Sequence, residues 1–137
     1  MKNLPPEMMS WYFKFNWDNK KIWNLNVPTI SKHITDLEWH FDIPIWSDTK
    51  GKMLFNLRPR DVIKNPGKYS FHDQRIENAD ILYPIEMMFT VDRYAILDGI
   101  HRLVRYYKLG INDVQVRIIP ENLLSEFMIT MDTSLYQ

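Results

Sequence analysis

Two stretches of the chain carry residue types that do chemistry. The first is Asp98-Gly99-Ile100-His101-Arg102, with a carboxylate, an imidazole and a guanidinium around one glycine. The second is Glu38, His40 and Asp42, two carboxylates flanking an imidazole at alternate positions. A guanidinium suits phosphate oxygens because it offers two parallel N–H groups. Carboxylates and imidazoles serve as general bases, and carboxylates bind hard cations.

The elements that must position the first group are legible nearby. Tyr94-Ala95-Ile96-Leu97 is an apolar run, broken at Asp98-Gly99. Ile100, Leu103, Val104 and Tyr107 then follow the i, i+3, i+4, i+7 spacing of an amphipathic helix. The stretch therefore predicts strand, tight turn and helix. A helix start carries unpaired N–H groups and the positive end of the macrodipole, which suit an anion. Gly99 permits the turn and a close approach of ligand to backbone. Asp98 can cap the helix, hold magnesium or orient His101. His101, Arg102 and Arg105 fall away from the apolar stripe. Cations there oppose the macrodipole. A bound anion relieves that misfit, and so does pairing with Asp98, Asp92 or Glu86.

The second group depends on a different element. Leu37, Trp39, Phe41 and Ile43 alternate with Glu38, His40 and Asp42, which predicts a strand over 37–43. On that strand Glu38, His40 and Asp42 share one face. They supply a general base beside the turn at Asp98, or they form a solvated face. Pro44 ends the pairing.

Elsewhere the pattern predicts a helix opening near Pro59 and stopped by Asn65-Pro66-Gly67. A second helix is expected over 68–80. Its stripe of Tyr69, His72, Arg75 and Ile76 is either a half-buried face or a route for His72 and Arg75 into a pocket. A strand over 83–89 turns at Asp92-Arg93 into 94–97. Gly110 stops the next helix, and 114–119 alternates as a strand. Residues 121–130 read as a closing helix and 131–137 as a frayed tail. Strand 94–97, helix 99–109 and strand 114–119 suggest a βαβ unit with its two strands parallel. Residues 1–30 read as a decoration on the core, with 11–17 a strand or short helix and Asp18-Asn19-Lys20 a turn. The expected fold is α+β with an α/β core: one domain over 1–137, with a small mixed sheet.

Composition narrows the classes. At 137 residues the chain suits one domain. Lys plus Arg number 17 and Asp plus Glu number 17, so net charge gives no argument for nucleic acid or an anionic membrane. With no cysteine there is no disulfide, thiol nucleophile or thiolate metal site. No apolar run approaches a membrane span, and a soluble cytoplasmic protein is expected. Aromatic residues make up 14%, with Trp11, Trp17, Trp23, Trp39 and Trp46 crowded into the first third. They read as core, with one or two lining a pocket or a homodimer surface.

Ile96-Leu97-Asp98-Gly99-Ile100-His101-Arg102-Leu103, followed by Tyr107-Lys108-Leu109-Gly110 and the strand Val114–Ile119, resembles the DGxHR core motif of the ParB/sulfiredoxin superfamily. The resemblance covers residues 83–120 well, and 54–82 fits the helical segment that precedes the motif. It implies a ParB/sulfiredoxin-like fold and a nucleotide (ATP, ADP or CTP), with magnesium as a candidate companion. By that resemblance His101 and Arg102 would touch phosphate oxygens, helped by Arg105, while backbone N–H groups from Gly99 and Ile100 cradle the anion. Ile100 stands where sulfiredoxins carry their cysteine, which excludes thiol repair. ParB proteins continue into DNA-binding helices; with the sequence ending at Gln137, sequence-specific DNA binding is not expected.

Three functions follow as expectations. One is a small phosphotransferase or nucleotide hydrolase, with Asp98 assisting magnesium or the acceptor, and Glu38, His40 or Asp42 as base. The alternative is a non-catalytic module binding a nucleotide, nucleic acid or protein. A metal hydrolase built on residues 38–42 and 72–73 ranks third, because the spacings match no closed metal site.

Overall fold

The computed structural model describes residues 4–131. In chain order these form α1 (Pro6–Met9), β1 (Phe15–Trp17), α2 (Asn19–Trp23), β2 (Ile30–His33), 3-10 turns over Ile34–Asp36 and Glu38–Asp42, α3 (Pro59–Lys64) and α4 (Ser70–Glu77). There follow β3 (Ile85–Thr90), β4 (Arg93–Asp98), α5 (Ile100–Leu109), β5 (Asp113–Ile118), a 3-10 turn over Glu121–Glu126 and β6 (Met128–Met131). The fold is α+β with a mixed four-stranded sheet, ordered β2-β5-β3-β4, and a separate β1-β6 pair. Among the described residues no helix is long and apolar enough to cross a membrane.

The sheet corrects the expected βαβ unit. β4 hairpins back antiparallel to β3, and β5 lies parallel to β3 on its other side. β4 and β5 are therefore not neighbours. A parallel pair needs a crossover between its strands. Here β4 and α5 together make that crossover, from β3 to β5.

Each face of the sheet is covered. On one side Ile85, Met87, Ile96 and Val116 pack against Ile100, Leu103 and Val104 of α5. Tyr107, expected on that stripe, is 40% exposed, and Tyr106 is buried instead. The alternate positions Met88, Ala95 and Leu97 pack against Met8, Trp11, Phe13 and Ile22. The N-terminal segment thus supplies half of a second core, beyond the decoration expected of it. Trp11 and Trp46 are buried, whereas Trp23 is 51% exposed. The predicted turn at Asp18 is instead a helix start, where the Asp18 carboxylate accepts from Lys20 N–H at 2.9 Å. The predicted closing helix shortens to the 3-10 turn before β6, which pairs with β1. The predicted frayed tail beyond Met131 lies outside the described residues.

The predicted strand over 37–43 is absent. Ile34, Leu37 and His40 are buried at every third position, the period of a 3-10 helix. Glu38, His40 and Asp42 therefore share no strand face. His40 is enclosed and Asp42 is exposed. His40 Nδ1–H donates to the Leu37 carbonyl at 2.8 Å, and its Nε2 accepts from Ile96 N–H at 3.1 Å. Trp39 stacks on the ring with centroids 3.8 Å apart. β4 is an edge strand, so His40 occupies an N–H that would otherwise be open to another chain.

Burial pulls the His40 pKa down from 6.5 to about 4, against the hydrogen bond to Leu37. Between those values the unfolded chain binds a proton that the folded chain refuses. Stability is therefore full above about pH 6.5 and falls as pH drops toward 4, by up to ~3 kcal/mol from this group. Urea unfolding across that window should show the fall. His40→Leu should cost about 2 kcal/mol at neutral pH, from the unpaired Ile96 N–H, and should reduce the pH dependence to the part carried by the other buried imidazoles, His72 and His101. An unchanged pH slope in the variant contradicts the assignment.

Candidate functional site

The start of α5 is shaped by Gly99. Its φ of 120° suits glycine, and an added Cβ would lie 3.1 Å and 3.2 Å from Ile85 side-chain carbons. No side chain caps the helix here. The capping role open to Asp98 is not taken up. Its Oδ2 instead accepts from Trp23 Nε1 at 3.0 Å and from Arg102 Nη2 at 3.2 Å. Arg102 Nη1 donates to the Pro84 carbonyl at 2.8 Å, fixing the guanidinium across the end of β3. The first N–H groups of α5 have no intrahelical partner and no side-chain cap.

Beside them lie two imidazoles on one tryptophan. Trp46 stacks on His72 at 4.4 Å and on His101 at 4.2 Å between ring centroids. The rings are also joined, His72 Nδ1 to His101 Nε2, at 3.0 Å. His72 Nε2 faces the Ser47 carbonyl at 2.8 Å. That carbonyl only accepts, so His72 carries its proton on Nε2. Its Nδ1 must then accept, and His101 Nε2–H must donate. The lone pair of neutral His101 is thereby fixed on Nδ1, which has no partner among the described residues. Burial, then Arg75 and His72, lower the His101 pKa to about 3. Burial also lowers that of His72.

The cleft at this helix start has a volume of about 360 Å3 and is lined by Arg75, Tyr83, Asp98, Gly99, His101 and Arg102 among others. Arg75 is exposed and has no ion-pair partner among the described residues. A larger cavity of about 530 Å3 adjoins it, sharing Arg75 and Asn78 and adding Lys50 and Lys52. A third, of about 470 Å3, shares Tyr83 and Arg102 and reaches Glu86 and Arg117.

Of the residues expected from sequence, Asp98, Gly99, His101 and Arg102 come together. Ile100 is buried in the core, so only its backbone is available. Arg105 does not line the cleft. Glu38, His40 and Asp42 do not line it either, which corrects the expectation of a base from that segment. Both His40 nitrogens are engaged in the core. Asp42 binds Arg60 at 2.6 Å, and that hydrogen bond holds its carboxyl below the usual range. Among the described residues no group of three or more His, Asp or Glu could hold a metal. Asp80 and Asp98 are the cleft's carboxylates. Arg75 and His72 belong to the stripe whose reading was open. Trp46 was legible only as an aromatic, Glu86 only as a candidate partner for the arginines of α5, and Arg117 gave no signal. No protein-family model matches the chain, and no curated protein or solved structure matches it.

Two outcomes follow. Gly99→Ala should destabilise by about 1–3 kcal/mol through backbone strain, read by thermal unfolding, and wild-type stability would contradict the geometry. Long-range 1H–15N spectra at neutral pH should show His72 and His101 both as Nε2–H tautomers. An Nδ1–H signal from either ring would break the relay as drawn.

Proposed function

We propose that the chain binds the phosphates of a nucleotide at the start of α5, as a ParB-like module. The carrying observation is the convergence of Arg75, Arg102 and His101 on a cleft opening at an uncapped helix N-terminus. Arg102 is already oriented by Asp98 and Pro84, so little freedom is lost on binding. The DGxHR resemblance points to the same ligand. The dispersal of Glu38, His40 and Asp42 away from the cleft favours binding over turnover.

Neutral His101 presents a lone pair where a phosphate needs a donor. One unit charge 4 Å away, at an effective dielectric near 20, is worth about 4 kcal/mol, or roughly three pKa units. An anion of that kind raises His101 from about 3 to about 6. Around and below that pH binding takes up a proton, and affinity rises as pH falls.

Phosphoryl transfer to a small hydroxyl acceptor is the second reading. It is favoured by the adjoining cavity, which has room for an acceptor beside Arg75.

Isothermal calorimetry with tripolyphosphate, ATP, ADP and CTP tests the first reading. Saturable binding is expected, weakened at least tenfold by Arg102→Gln and by Arg75→Gln, with proton uptake lost in His101→Asn. Absence of binding, or indifference to both arginine changes, contradicts it. Transfer of labelled phosphate from ATP to serine, glycerol or a sugar would promote the second reading.

A further inference from the structure

Glu86 lies on β3 opposite Asp98 of β4 and Arg117 of β5, so the three make one row across neighbouring strands. Glu86 is 3% exposed and Arg117 is 6% exposed. Arg117 Nη1 donates to Glu86 Oε1 at 3.2 Å. Oε2 lies equally close to Nη1 but outside hydrogen-bond geometry. It is the buried side-chain polar atom left without a hydrogen bond among the described residues. That oxygen has the ion pair with Arg117 but no hydrogen bond, and a ligand that supplies an aligned donor completes its bonding.

The surrounding cavity indicates which donor. Its lining is Trp23, Tyr83, Pro84, Glu86, Arg102 and Arg117. Trp23 and Tyr83 are 51% and 65% exposed, large rings offering flat apolar surface at the mouth. The charges around the cavity balance: Arg102 is paired with Asp98, and Arg117 with Glu86. A cationic ligand would meet two guanidinium groups there. A neutral, planar group with an N–H donor fits the rings and the orphaned oxygen together. Its volume of about 470 Å3 is within the range of small-molecule sites. Arg102 and Tyr83 also line the phosphate cleft, so one ligand can span both spaces.

We infer that this cavity receives the base of the nucleotide and selects bases bearing an exocyclic amine, which donates to the Glu86 carboxylate. The inference rests on the phosphate site proposed at α5. Replacing the amine by a carbonyl turns an acceptor toward the carboxylate, and such a site rejects the mismatched partner strongly.

Two ligand pairs make that replacement, CTP against UTP and ATP against ITP, each also turning the neighbouring ring nitrogen into an N–H donor that is displaced from the position of the amine. Calorimetry on the full chain should show the amino member of at least one pair binding tenfold or more tighter than its oxo partner. In Glu86→Gln the ratio should fall within threefold. Trp23→Ala removes a half-exposed ring and leaves the buried ion pair, but it also removes the hydrogen bond to Asp98, so its nucleotide affinity is compared with its own tripolyphosphate affinity. The two should become equal. If tripolyphosphate binds but both ratios stay within threefold in the wild type, the base site is overturned and the phosphate site stands. Persistence of the preference in Glu86→Gln, or an unaltered nucleotide advantage in Trp23→Ala, also overturns it. If neither tripolyphosphate nor any nucleotide binds, both proposals fall.

Discussion

The Arg117 guanidinium is the point at which the two halves of the chain are tied together. Beyond its ion pair with Glu86, it donates to the backbone carbonyls of Leu25, Val27 and Ile22. A buried charge is tolerated only when paired and fully hydrogen-bonded, and this one has a carboxylate and three carbonyls. Removing either partner would strand the other in a dry interior. The consequence reaches beyond stability. With the end of α2 fixed, Trp23 lies against Asp98, and Asp98 orients Arg102 at the start of α5. The N-terminal aromatic segment and the α5 turn are thereby mechanically one unit.

Polar groups elsewhere in the core follow the same rule. His40 and His72 are both buried, and each satisfies a backbone group. His40 covers the open edge of β4 as a neutral ring. His72 passes the constraint of the Ser47 carbonyl to His101 and so sets which nitrogen faces outward. Burial makes both rings hard to protonate and does the same to His101, which keeps the free cleft less positive than its residue types suggest. The charge left in the cleft is mainly that of Arg75 and Arg102.

The sequence made the strand, turn and helix from Tyr94 to Leu109 legible because their signals are local. Apolar runs, the Asp98-Gly99 break and the helical stripe need no knowledge of partners. Over 34–43 two periods coincide. Leu37, Trp39, Phe41 and Ile43 alternate by two, while Ile34, Leu37 and His40 recur by three. Counting His40 as polar selected the strand, whereas the fold uses it as core. The strand pairing was missed for a related reason: β5 lies beside β3 only because the hairpin turns β4 outward, and that choice is not written in either strand. Glu86 and Arg117 look like ordinary members of strands, and their partners lie far along the chain. Trp46 likewise becomes part of the site only when α4 and α5 bring His72 and His101 onto its ring.

The cleft at α5 draws its chemistry from groups that have other work. Asp98 is engaged with Trp23 and Arg102, and Ile100 anchors the helix in the core. What remains free is backbone N–H, the Arg75 side chain, part of the Arg102 fork and one histidine nitrogen. Such a set holds an anion well and offers little to drive proton transfer. The most direct measurement is a two-dimensional 1H–15N titration of the labelled protein with tripolyphosphate and then with CTP. Phosphate held at this helix start predicts the largest shifts at the amides of Gly99 to Arg102 and at the His101 ring. Shifts centred on Lys50 and Lys52, or none at all, would contradict it.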